Sequence, residues 1–119
     1  MYSIPDDLEL KELDNFSGTK NYFDGFLGTL ATDGVKYISN NGYSWLITDS
    51  ISVIKVDKKL MKEEFLVIKL KVLDNQKAVM TIEDGNGKVF YTQNYDYTTA
   101  KRDLTLYFQN NVIMLSSEY

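Results

Sequence analysis

The sequence predicts an α+β fold, with short N-terminal helices (about residues 3–57) packed on a C-terminal antiparallel meander of about five strands (about residues 65–116). Three features predict it. Apolar residues in the first half recur at helical spacing. From Phe65 onward their period changes to two. Asn and Gly pairs punctuate the second half where tight turns are needed. A chain of 119 residues fits one domain, residues 1–119, large enough to fold without disulfides or metals.

Ser3, Pro5 and Asp6 start the first predicted helix: a hydroxyl can accept an orphan amide, proline pre-sets the first turn, and an acid suits the positive helix end. It runs to about Asn15, with Leu10, Leu13 and Phe16 on one face. Thr19 caps a second, whose stripe is Tyr22, Phe23, Phe26, Leu27, Leu30 and Ala31. Gly25 and Gly28 each cost such a helix about 1 kcal/mol relative to alanine, so packing has to justify them. Thr32 and Asp33 begin a third short helix that ends at Asn41-Gly42, a pair suited to left-handed backbone angles. Residues 43–56 fit two descriptions. Ile47, Ile51 and Ile54 have helical spacing while the β-branched content suits a strand; the spacing favours a helix.

Leu66, Ile68, Leu70 and Val72 alternate with Lys69 and Lys71 in the first predicted strand. A turn at Asp74-Asn75 leads to residues 77–83, with Ala78, Met80 and Ile82 on one face. Asp84 to Gly87 (DGNG) makes a hairpin back through residues 88–95. Residues 103–109 and 112–115 form the last two strands around Asn110-Asn111.

With no cysteine and no histidine, the chain lacks thiolates, imidazoles, disulfides and the usual ligands of tight transition-metal sites. Carboxylates, hydroxyls, tyrosines and lysines remain, none of which titrates near neutral pH without a strong perturbation. Asp84, Asn86 and Lys88 begin like a calcium loop, but Val89 and Tyr95 stand where glycine and glutamate are needed, so a hairpin is expected. The acid pairs Asp6-Asp7 and Glu63-Glu64, and the serines Ser17, Ser116 and Ser117, lack any accompanying catalytic pattern and read as solvated surface. No catalytic residue, cofactor or metal is therefore expected, and binding is the better expectation. A carboxylate-dependent enzyme ranks behind it.

The net charge of −4 is unevenly placed: residues 1–15 alone sum to −4, and Lys55 to Lys71 sum to +3. A pI near 4.7 argues against general phosphate-backbone binding. The lysine stretch reads as a solvated loop with a lysine-edged strand that discourages edge pairing. Tyr91, Tyr95, Tyr97 and Tyr107 gather in the last strands and their connecting loop, where rings can cover a sheet face and still offer hydroxyls to a partner. Candidates for partner contact are Tyr91, Tyr95, Tyr97 and the acids Asp6, Asp7 and Glu9. Trp45 is placed to anchor the helical layer to the sheet. No apolar stretch approaches the roughly 20 residues of a membrane span, and the acidic start is unlike a signal peptide, so a cytoplasmic protein is expected.

Four strings together resemble a bacterial family built on a domain of unknown function: TDGVKY (32–37), YSWLI (43–47), EDGNGKVFYTQ (83–93) and LTLYFQNNVIMLSSEY (104–119). The similarity runs over about residues 10–119, and the glycine turns and Ser117-Glu118-Tyr119 are its most specific parts. The resemblance implies a protein of phages, plasmids and other mobile regions, with an accessory or host-interaction role and no catalytic residue to carry over. The leading expectation is an anti-CRISPR-like inhibitor that binds a host RNA-guided nuclease and interferes with guide or target loading. The alternative is a small nucleic-acid- or ligand-binding accessory protein that uses the Lys55 to Lys71 region.

Overall fold

The computed structural model describes residues 21–24 and 26–119. The predicted first helix, the Thr19 cap and the acids Asp6, Asp7 and Glu9 lie outside the described residues. Within them the fold is α+β: a mixed seven-stranded sheet with its main helix on one face.

The strands are β1 (Tyr22–Asp24), β2 (Leu30–Thr32), β3 (Leu66–Val72), β4 (Ala78–Glu83), β5 (Val89–Tyr95), β6 (Leu104–Gln109) and β7 (Val112–Leu115). Between β2 and β3 lie α1 (Asp33–Ile38), a wide π-type turn (Ser39–Tyr43), α2 (Ser44–Val56) and α3 (Lys58–Met61). The predicted third helix is α1: the Thr32 side chain caps it by accepting from the Val35 amide. Gly42, at φ 99°, makes the predicted left-handed exit. The helical reading of residues 43–56 matches α2.

The stripe Leu46, Ile47, Ser50, Ile51 and Ile54 buries α2 against the sheet. Each of its large aliphatic side chains contributes about 1.5–3 kcal/mol by leaving water. The Ser50 hydroxyl is buried within this stripe at no loss, because it donates to the Leu46 carbonyl at 2.7 Å. Asp57 leaves helical angles, ends α2 and caps α3 through the Lys59 amide.

The second predicted helix is corrected: residues 22–32 hold β1 and β2, paired antiparallel with Phe23 opposite Ala31. The turn between them carries Leu27 and Gly28 at positive φ, which no helix tolerates. The proposed stripe would not have been buried, since Tyr22, Phe26, Leu27 and Leu30 are exposed. β2 instead adds in parallel to β7, where the Leu30 amide donates to the Asn111 carbonyl at 2.9 Å.

All five predicted C-terminal strands form, but not as a simple meander: the order is β1-β2-β7-β6-β3-β4-β5. β3 buries more residues than any other strand, Leu66, Val67, Ile68 and Leu70, and it takes two neighbours, β4 and β6. The β6–β7 hairpin therefore docks on the far side of β3 from β5. Asn110 and Asn111, both at positive φ, close its two-residue turn. β3 is thus interior, and Lys69 and Lys71 do not guard an edge.

Candidate interaction surface

Strand parity sorts every side chain of the sheet to one of two faces. Ile68, Leu70, Ala78, Met80, Ile82, Leu106 and Ile113 point to the helices and form the core. The other face carries Lys69, Lys71, Thr81, Thr92, Asn94, Thr105 and Tyr107, and among the described residues no helix packs on it.

The same parity separates the tyrosines that the sequence groups together. Tyr91 and Tyr95 sit opposite Ile82 and Ala78 and so face the helices. The Tyr95 hydroxyl donates to Asp49 Oδ2 on α2 at 2.8 Å, and its ring meets Trp45 edge-on with centroids 5.0 Å apart. Trp45 is fixed in turn by donating from Nε1 to the Gly42 carbonyl at 2.8 Å, so it does anchor helix to sheet. Burial first, then the hydrogen bond to Asp49, holds the Tyr95 hydroxyl protonated far above the ordinary tyrosine value of 10.0. Tyr91 donates to Gln93 at 2.9 Å. Tyr97 lies beyond β5 and is 62% exposed.

Tyr107 takes the opposite face and joins two rings that periodicity alone did not assemble. Phe65, Tyr107 and Tyr119 contact one another pairwise at centroid separations of 4.9, 5.3 and 5.4 Å. Tyr119 meets both other rings edge-to-face, a geometry that adds to what area burial supplies. Tyr119 nonetheless stays 70% exposed. The signals for this trio were the alternation that sets Phe65 opposite Leu66 and the terminal Ser117-Glu118-Tyr119 string.

Glu118 explains why Tyr119 is held there. Its Oε1 accepts from the Thr32 hydroxyl at 2.6 Å and the Leu115 amide at 2.9 Å, and its Oε2 accepts from the Gly34 amide at 3.0 Å. A Cβ on Gly34 would lie 2.5 Å from Leu115 Cδ1 and 2.6 Å from Glu118 Oε1, so only glycine admits this approach. Two strings far apart in the chain, TDG at 32–34 and SEY at 117–119, thus form one lock beside the ring trio.

The lysine stretch divides as well. Lys69, ion-paired to Glu83 at 3.1 Å, and Lys71 stand on the sheet face opposite the helices. Lys55 and Lys62 line a groove of about 560 Å³ with Met61, Glu63, Glu64 and Asn110, and Lys55 donates to Asn111 Oδ1. The DGNG segment is a hairpin turn in which Asp84 Oδ1 accepts from the Asn86 and Lys88 amides, so this carboxylate is committed to its own backbone. Among the described residues no three acids gather as a metal site, and no helix is long and apolar enough to cross a membrane.

Fold and surface together define an α+β domain with one sheet face covered by helices and the other bearing a partly exposed aromatic cluster. The chain belongs to DUF6876, a family of unknown function whose model matches residues 7–119. No curated protein and no solved structure matches it.

Proposed function

We propose that this chain is a non-catalytic binding protein whose sheet face opposite the helices docks on a larger macromolecule. The observation that carries this reading is the Phe65–Tyr107–Tyr119 cluster, three rings in mutual contact with Tyr119 largely in solvent. Such rings offer large contact area with little conformational entropy to lose, which is why aromatic residues anchor interfaces. In its specific form the protein acts in the cytoplasm as an anti-CRISPR-like inhibitor carried by a phage or other mobile element. It binds a host RNA-guided nuclease and obstructs guide or target loading. The acidic segment with Asp6, Asp7 and Glu9 would speed encounter with a basic nuclease.

A second reading draws on Lys69 and Lys71, which share the face with Tyr107: rings beside lysines can stack bases and neutralise phosphates. Two measurements separate the readings. Affinity capture from host lysate with wild type and Tyr119→Ala is expected to recover a defence nuclease with wild type and much less of it with the variant. Titration with short RNA and DNA is expected to show little binding. Tight binding that weakens steeply with salt would replace the first reading by the second. Recovery of no nuclease, or equal recovery by both proteins, would remove the first.

A further inference from the structure

We infer that Asn86 is a site of spontaneous deamidation, converting with age to aspartate and isoaspartate, and that the fold protects the other Asn-Gly pair, Asn41-Gly42, from the same reaction. The site lies in a turn and uses none of the residues assigned to partner contact, so the inference stands independently of the binding reading.

Asparagine followed by glycine is the sequence in which a backbone nitrogen most readily reaches the side chain before it, because glycine carries no Cβ to obstruct the approach. The chain contains two such pairs. In the reaction hydroxide takes the glycine N–H proton and the nitrogen attacks the asparagine Cγ. An N–Cγ bond forms, the Cγ–Nδ2 bond breaks, and Nδ2 leaves as ammonia with a proton from water, which regenerates hydroxide. A second water then opens the cyclic imide at either of its carbonyls. One opening gives aspartate; the other gives isoaspartate, in which the main chain runs through the side-chain carboxyl. Either product adds a negative charge.

The two glycines have nearly the same backbone, φ 98° at Gly87 and 99° at Gly42, so their surroundings decide the outcome. In the β4–β5 turn Asn86 and Gly87 are both exposed, and nothing lies within 4 Å of where a Gly87 Cβ would stand. Asp84 Oδ1 accepts from the amides on either side, Asn86 at 2.7 Å and Lys88 at 3.1 Å. Among the described residues nothing accepts from the Gly87 amide between them, and nothing holds the Asn86 carboxamide. Nucleophile, electrophile and the path for water are all open. The Asn41-Gly42 pair is enclosed. Asn41 Nδ2 donates to the Tyr37 carbonyl at 2.7 Å, which ties the leaving group back to α1. Gly42 is buried in the π-type turn, and its carbonyl accepts from Trp45 Nε1 at 2.8 Å. Reaction there has to wait for this corner to open.

Incubation of the folded protein at mildly alkaline pH, followed by trypsin, tests this. Cleavage after Lys36, Lys55, Lys77 and Lys88 places the two pairs in separate peptides, residues 37–55 and 78–88. Peptide mass reports the loss of the amide, and enzymatic methylation of isoaspartate reports the isomer. The 78–88 peptide is expected to convert faster than the 37–55 peptide by roughly tenfold or more, because the enclosed pair reacts only through local opening. In guanidinium chloride the two rates are expected to approach each other, which separates the contribution of the fold from that of the local sequence. Asn86→Gln is expected to remove the fast conversion. Equal rates in the folded protein, or a 78–88 peptide that stays unmodified while the protein is folded, would overturn the inference. A difference that persists in guanidinium chloride would overturn the protective role of the fold, and isoaspartate that persists in Asn86→Gln would assign the reaction to Asp84 instead.

Discussion

Tyr95 shows how one side chain is committed by its neighbours. Its ring closes against Trp45 and its hydroxyl serves Asp49, which ties the outermost strand to the main helix. Burial and the Asp49 carboxylate both disfavour the phenolate, so the folded-state pKa lies above the unfolded value of 10.0. The stabilisation is therefore complete below about pH 10 and is lost as pH rises beyond it, because the unfolded chain releases this proton and the folded chain keeps it. Urea denaturation should find Tyr95→Phe less stable than wild type by about 1 kcal/mol at pH 8, from the lost hydrogen bond. The gap should narrow as pH rises past 10; a constant gap would show that Tyr95 titrates normally in the folded protein.

At the scale of elements, α2 is defined by the five-residue stripe it buries and by serine and threonine hydroxyls that bond back to its own carbonyls. Ile51→Ala should cost about 2–5 kcal/mol, because its site is fully buried between helix and sheet. Ser52→Ala, on the outer side, should stay within about 0.5 kcal/mol. Equal effects in denaturant titrations would contradict this orientation of α2. The helix was readable because its isoleucine spacing repeats over several turns. Residues 22–31 were misleading for a related reason: aromatic and aliphatic residues at helical spacing also occur where two three-residue strands flank a turn. Neither strand is long enough to display a period of its own. The hairpins at 84–88 and 110–111 were legible because glycine and asparagine accept positive φ at low cost.

Across the whole molecule, the two ends of the described chain meet in the parallel β2–β7 pair and the Glu118 lock. Glu118→Ala removes the acceptor for three donors at once and should destabilise the fold by about 2–4 kcal/mol. Closing a contact between residues 32–34 and 118 has a large entropic cost, so it belongs late in folding. The loss should therefore appear mainly as faster unfolding, with the refolding limb of a chevron plot little changed. A slowed refolding limb would place the lock in the folding nucleus. The lock also sets Tyr119 over Tyr107, so stability and the proposed binding surface share one carboxylate.

By itself the sequence determined the α+β class, the Thr32 cap and all five C-terminal strands, and its isoleucine spacing favoured a helix over residues 43–56. Each of these is written in local periodicity or in turn residues that restrict neighbouring backbone angles. Strand order, the burial of Tyr95 against Tyr107 on the opposite face, the Phe65–Tyr107–Tyr119 cluster and the Glu118 lock were decided only by tertiary structure. These depend on which strands compete most strongly for the centre of the sheet. That competition is settled by burial of the whole chain, and no local window of residues contains it.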